Sequence, residues 1–270
     1  MTIQQSTRIH PTAVVAPEAD LADDVQVGPH VVIEGNVRVG PSCVLRAGVH
    51  LVGPLVMGAH NEVFSYAVLG GQPQHLKYQG EPTRLEIGDR NIFREHVTVH
   101  RGTTQSWATR IGNNNYLMAN SHVAHDCTIG NNCILANGAL LGGHCTLEDN
   151  VYLSGNCAVH QFVRVGRLAL LSGVSATTKD IPPFIIQQNI NRIVGVNVVG
   201  MRRAGIPTTH TDAVRRAFHI LYREERLVHD ALEHIDHELG AVAEVAEMVA
   251  FIRASARGIN LDGGRMTDAA

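Results

Sequence analysis

Residues 121–150 read SHVAHDCTIGNNCILANGALLGGHCTLEDN, and an aliphatic residue returns at every sixth position: Val123, Ile129, Leu135, Leu141 and Leu147. Neither a helix, with its period of 3.6, nor a half-buried strand, with its period of two, repeats at six. A chain that turns a corner every six residues does, because it places one such side chain inside per flat face. Outward from this stretch the register runs back through Leu117, Ile111, Val99, Phe93 and Ile87 to Ile9, and forward through Leu153, Val159 and Val165 to Leu171. It is broken only at His75, Glu81 and Gln105, each in a polar segment. Three faces then close one coil, and the fold class is mainly β, a parallel β-helix of hexapeptide repeats.

The place four residues after each aliphatic one is small and apolar, as at Val25, Val31, Val37, Ala139 and Cys145, which suits a slim interior. Cys43, Cys127, Cys133, Cys145 and Cys157 all fall there, so these thiols read as small core residues. Glycine often follows the aliphatic residue, at Gly28, Gly40, Gly112, Gly130, Gly142 and Gly166, with Asn and Asp just beyond. Corners that need tight or positive-φ backbone would account for both.

The hexads assign residues 1–200 to the prism, with the polar segments 70–86 and 102–110 leaving it as loops around Pro73, Gly80 and Pro82. After Pro182-Pro183 the pattern fades, and from about Thr208 it becomes helical. Val214, Phe218 and Leu221 share a face, as do Leu227, Ala231 and Ile235, then Val245, Met248 and Ile252. Three short helices are expected within 201–258, opened by Pro207 and divided at Gly240, with 259–270 a frayed tail.

Composition excludes several classes. With 22 Lys+Arg against 25 Asp+Glu, the net charge of -3 offers no general field for nucleic acid. Apolar runs such as Val31-Val32-Ile33 fall far short of the ~18 residues that cross a bilayer, and no export signal opens the chain. An odd cysteine count without C-x-x-C spacing points to reduced thiols, and the expected compartment is cytoplasmic. There is no Walker sequence, no G-x-G-x-x-G and no H-E-x-x-H.

Chemistry concentrates on histidines. His122, His125, His144 and His160 fall on consecutive coils, where residues eighteen apart stack: His125 is in column with Gly143 and Gln161, and Asp126 with His144. His125 beside Asp126 is a base with an orienting carboxylate, suited to taking a proton from a hydroxyl near neutral pH. Gly143, with no side chain above His125, can offer its backbone N–H to an oxyanion. The competing readings are a ridge of solvated imidazoles or a zinc site like that of the gamma carbonic anhydrases. The H-x4-H pair of that class is not matched by His122-x2-His125, so no metal is expected.

The stretches GEPTRLEIGDRN (80–91), VTVHRGT (97–103), HVAHDCTIGNNCILAN (122–137), AVHQFVRVG (158–166) and IPPF (181–184) closely resemble the UDP-N-acetylglucosamine acyltransferases that begin lipid A synthesis. The resemblance implies a left-handed coil and transfer of a 3-hydroxyacyl chain from acyl carrier protein to the sugar 3-hydroxyl of UDP-N-acetylglucosamine. It further implies a homotrimer with sites between neighbouring prisms, no cofactor, no nucleic acid and no stable membrane insertion. By resemblance His125 is the general base, Asp126 its orienter and Gly143 the oxyanion donor. His122, His144, His160 and Gln161 line the substrates, Lys77 binds substrate from the first loop, and Asn197 and Arg203 lie near the nucleotide. Gly155 and Gly173 keep an acyl groove open for a long chain.

Three features depart from the family. His75 stands in PQHLKY where Asp is usual, which makes it a candidate substrate contact and leaves open a variant acceptor such as a 3-amino UDP-sugar. Val199 replaces a frequent Glu, and QNINRIVG (188–195) is a residue shorter than usual. Two further alternatives are the acyltransferase that N-acylates UDP-3-acyl-glucosamine, which normally carries an N-terminal domain not expected here because hexads begin at Ile9, and a non-catalytic scaffold. Arg202, Arg203, Arg215, Arg216, Arg223 and Arg226 form a basic helical face suited to docking the acidic carrier.

Overall fold

Among the described residues, three sheets of nine, eight and ten strands, parallel except for the last strand of the third, form the walls of a prism. Each strand pairs with the one a coil away, so Val14 lies on Val32, His122 on Leu140 and Thr146 on Arg164. The computed structural model describes residues 9–261. Most strands are only two residues long, because the chain must turn again after every one. The hexad residues point inward: Ile33, Leu51, Leu69, Phe93, Leu117 and Leu135 are fully buried. Parallel strands cannot be joined by tight hairpins, and here the remaining two faces of each coil serve as the crossover.

Two kinds of internal ladder run along the corners. The buried side-chain oxygens of Asn61, Asn91 and Asn115 each accept a backbone N–H from the next coil, the last of them that of Cys133 at 2.8 Å. The thiols of Cys43, Cys127, Cys133 and Cys145 each donate to the backbone carbonyl fifteen residues on, at 3.1–3.2 Å. A thiol at this interior place therefore gives the carbonyl a donor that an alanine could not.

The glycines after the hexad residue serve another purpose than the one expected. Positive φ falls two residues later, on His30, Ser42, Asn114, Asn132, His144 and Leu168. The glycines instead allow coils to approach: a Cβ on Gly112 would lie 2.5 Å from the Gly130 carbonyl oxygen, and one on Gly40 2.8 Å from that of Gly58.

The polar excursions are shorter than 70–86 and 102–110. Gly70 and Gly71 finish the strand Val68–Gly71, and Arg84–Ile87 pairs in full register with Ala108–Ile111. Leu85, buried completely, supplies the core residue that draws this segment back into the coil despite its polar flanks. The two excursions run over 72–83 and 101–107.

The prism also ends before residue 200. Ile185–Gln188 and Arg192–Val196 form an antiparallel hairpin, and helix α1 (Val198–Arg203) follows at once, capped by Asn197. Helices α2 (Thr208–Tyr222), α3 (Val228–Leu239) and α4 (Ala243–Arg253) pack together around Val214, Leu221, Ile235 and Met248. The expected frayed tail is ordered over its first residues. Ile259 is buried and bridges Asp180, and the Asn260 side-chain nitrogen donates to Thr177 Oγ1 at 2.8 Å, closing the last coil with an apolar plug beside an amide donor. Residues 262–270 of that expected tail lie outside the described residues.

Candidate active site

The strand His122–Val123 ends in a corner whose third residue, Asp126, takes φ 62°. Aspartate tolerates this left-handed backbone better than most residues. The turn swings its carboxylate beside the preceding ring, so that His125 Nδ1 and Asp126 Oδ2 stand 2.8 Å apart. Both are buried, with the Asp126 side chain wholly so. The Thr103 N–H donates to Oδ1 at 2.8 Å and its hydroxyl to Oδ2 at 2.7 Å, while the Ser106 hydroxyl donates to Oδ1. Burial alone would raise this carboxyl, but the hydrogen bonds from His125, Ser106 and Thr103 outweigh it and hold the group well below the usual carboxylate range. It is an anion at any working pH.

The next coil brings Gly143 over His125. A Cβ at 143 would lie 2.6 Å from the ring's Cε1, so only glycine lets backbone and imidazole meet here. Among the described residues the Gly143 N–H donates to no backbone carbonyl, although its carbonyl accepts from the Phe162 N–H at 2.9 Å. A free donor beside an imidazole is a place for a developing oxyanion.

Further imidazoles surround the pair. His75, from the first excursion, meets the His125 ring edge-on at 5.2 Å, and so does His144 on the next coil. His144 in turn stacks flat on Phe162 at 4.4 Å. His122 Nδ1 is 2.7 Å from the Thr98 hydroxyl, and its ring meets His100 at 4.8 Å. Burial, reinforced by neighbouring histidines, keeps His100 and His122 neutral, His100 down to about 4. Burial likewise lowers His144, against the pull of Asp126.

His125, Asp126 and His144 present ligand atoms within 4.8 Å of one another. Both Asp126 oxygens already accept two hydrogen bonds each, and a direct 2.8 Å contact to His125 leaves no room for an ion between them. This donor set is built as a hydrogen-bonded dyad.

A second feature lies at a different edge of the prism. A cavity of about 440 Å³ is lined by Asn150, Tyr152, Leu168, Asn197, Val199 and Arg203, where α1 meets the third sheet. The basic helical face beyond it is largely matched by its own acids: Arg215 pairs with Asp212, Arg216 with Glu224 and Glu238, and Arg226 with Glu224.

Residues 108–143 match the bacterial transferase hexapeptide family profile, and residues 180–260 match the one described as UDP N-acetylglucosamine O-acyltransferase, domain 2. The chain is 49% identical over 255 residues to the acyl-[acyl-carrier-protein]--UDP-N-acetylglucosamine O-acyltransferase of Halorhodospira halophila, covering 94% of this chain and 99% of the relative. It belongs to this acyltransferase family. An Anaeromyxobacter member of the same name is 47% identical, with 93% and 98% covered. Among solved structures, the UDP-N-acetylglucosamine acyltransferase of Francisella novicida superposes with a TM-score of 0.92 at 34% identity, over 95% of each chain. That of Bacteroides fragilis gives 0.89 at 38%, over 93% of this chain and 99% of the other. The architecture is thus the family's left-handed parallel β-helix with a small C-terminal helical region. Neither the N-acyltransferase nor the scaffold reading draws support from these likenesses, and none of these relatives is named for a 3-amino acceptor.

Against the expected acyltransferase residues, the structure gathers His75, His122, His125, Asp126, Gly143 and His144 at one corner. His160 and Gln161 follow on the next coil and are exposed, with His160 Nδ1 3.4 Å from Arg257 of the C-terminal segment. Lys77 is exposed on the first excursion, whose Tyr78 hydroxyl accepts from buried Arg101 at 2.8 Å. Asn197 lines the cavity, yet its side chain is spent within the chain, accepting from the Gly200 N–H at 2.9 Å and donating to the Leu168 carbonyl at 2.8 Å. Arg203 lines the same cavity, away from His125. Gly155 and Gly173 stack at the third edge. Sequence reasoning missed Thr103, Ser106, Arg101 and His100. Phe162 was within its reach, since it sits eighteen residues after His144, but the excursion residues obey no repeat that would have located them.

Proposed function

We propose that the protein transfers a 3-hydroxyacyl chain from acyl carrier protein to the 3-hydroxyl of UDP-N-acetylglucosamine, with His125 as general base. The single observation that carries this reading is the His125–Asp126 contact at 2.8 Å beneath the unpaired Gly143 N–H. Asp126 takes the Nδ1 proton in hydrogen bond, which leaves Nε2 as the basic atom. Nε2 removes the sugar hydroxyl proton as that oxygen attacks the thioester carbonyl carbon. The Gly143 N–H receives the resulting oxyanion, and collapse breaks the C–S bond, the imidazolium returning its proton to the carrier's thiolate. A thioester is already activated, so no cofactor is required.

Homotrimeric assembly is part of the proposal. The His125 corner and the cavity bearing Asn197 and Arg203 occupy different edges of one prism. A UDP-sugar reaching both kinds of residue needs one edge from each of two copies, which a threefold arrangement supplies at every interface. His122, His144, His160, Gln161, His75 and Lys77 then line the sugar and acyl groups. Gly155 and Gly173 leave the acyl path clear. No helix among the described residues is long and apolar enough to cross a membrane, and we assign the protein to the cytoplasm, consistent with five unpaired cysteines.

Substituting His125→Ala should lower turnover at least ~100-fold while the oligomer stays intact. Mass spectrometry of the product formed from a panel of UDP-sugars and acyl carrier thioesters reads acceptor and chain together. Full activity without the imidazole would overturn the assignment.

A further inference from the structure

We infer that Ser106, together with Thr103, is a positioning residue for this reaction: the second excursion holds Asp126 against His125 and shares out the negative charge of its carboxylate. The inference rests on the proposed role of His125.

A carboxylate has about four lone-pair directions, and Asp126 has four close donors. Oδ1 receives the Thr103 N–H and the Ser106 hydroxyl; Oδ2 receives the Thr103 hydroxyl and His125 Nδ1. The Asp126 N–H donates to the Thr109 hydroxyl at 2.8 Å, which fixes the backbone behind it. Three of the four side-chain contacts thus come from residues 103 and 106, in a segment that otherwise leaves the prism. Ser106 has one hydroxyl proton and two acceptors in reach, Asp126 Oδ1 and the Ala108 carbonyl at 2.9 Å. The ionised acceptor is the stronger.

Each donor on the carboxylate competes with the imidazolium for the same charge. The groups facing His125 are Asp126 on its own turn, His144 on the next coil, His122 and His100 on the neighbouring strands, and His75 from the first excursion. Asp126 is the sole anion among them, so its effective charge sets how readily His125 takes up a proton. Removing the Ser106 hydroxyl concentrates that charge on Oδ2, strengthens the bond to Nδ1–H, and favours the imidazolium.

The test is the pH profile of kcat/KM for the wild type, Ser106→Ala, Ser106→Thr and His125→Ala, with NMR titration of the His125 ring in the first three. Ser106→Ala should move the acid limb upward, leave KM and the plateau within about threefold, and move the ring titration in the same direction. Ser106→Thr, which restores the hydroxyl, should return both curves to the wild type. An acid limb and ring titration in Ser106→Ala that superpose on the wild type, or move downward, overturn the inference. If instead His125→Ala keeps its activity, the general-base reading falls independently, and the ring titration still reports on Ser106.

Discussion

A side chain at position 143 and the imidazole of His125 cannot both keep their places, because a Cβ there would stand 2.6 Å from Cε1 and 2.9 Å from Nε2. Gly143→Ala keeps the backbone N–H, so any loss it causes reports displacement of the ring and not removal of the donor. Its φ is not left-handed, and the turn itself accepts alanine. Steady-state kinetics should show kcat lower by on the order of 100-fold, with the thermal midpoint close to that of the parent. Unchanged kcat would mean that the ring is not held against this backbone during turnover.

Acid should loosen the prism earlier than carboxylate titration alone requires. Burial, with His122 and His125 adding to it, lowers His100 to about 4, and its Nδ1 has no hydrogen-bond partner. In the unfolded chain the same imidazole titrates near 6.5. Between those values the unfolded state takes up a proton that the folded state refuses. The contribution is therefore fully present above about pH 6.5 and lost as pH falls to about 4. His122 and His144 are displaced in the same direction. The thermal midpoint, followed by circular dichroism, should fall across this window, and His100→Leu should flatten the slope. An equal slope in the variant would place His100 in contact with water.

How far the chain could be read in advance depended on whether a residue obeyed the repeat. Ile129 and Leu135 announce the prism, and the eighteen-residue column foretells that Gly143 covers His125. Periodicity has no purchase on segments that break it, which is why Thr103 and Ser106 went unseen although they supply most of the bonds to Asp126. The glycines misled for a related reason. A residue that permits positive φ and one that permits close approach carry the same letter, and only coordinates separate Gly112, pressed on the Gly130 carbonyl, from Asn114, which bears φ 57°. Ile259 is legible only in retrospect, since the few scattered apolar residues of that tail have no period.

Gly173 and Gly155 are not demanded by the fold. A Cβ on Gly173 would stand 3.6 Å from the Gly155 carbonyl oxygen, and one on Gly155 3.5 Å from that of Asn137, both ordinary contacts, and neither residue has left-handed backbone. Gly173→Leu should accordingly fold as the parent does. If this edge carries the acyl chain, the variant should lose on the order of tenfold or more with the longest acyl carrier thioester while keeping shorter ones. Competition between thioesters of different length, read by mass spectrometry, decides it; an unaltered preference would remove both glycines from the groove.

Arg101 is the anchor on which the first excursion hangs. Its guanidinium is buried, donating to the Gly53 carbonyl at 2.8 Å and to the Tyr78 hydroxyl at 2.8 and 3.1 Å from two nitrogens. Tyr78 in turn donates to the Glu81 carbonyl at 2.8 Å, which folds the excursion over the corner and brings His75 to the edge of His125. Arg101→Met keeps the length of the side chain and removes every donor. The excursion should then sample open positions, with faster hydrogen exchange over residues 74–81 than in the parent. Because His75 and Lys77 ride on it, KM for the nucleotide sugar should rise several-fold, whereas kcat at saturation, set by the His125–Asp126 pair, should stay within about threefold. A fall in kcat with KM unchanged would show that Arg101 acts on the reacting pair through the adjoining 101–107 excursion, and would detach it from substrate capture.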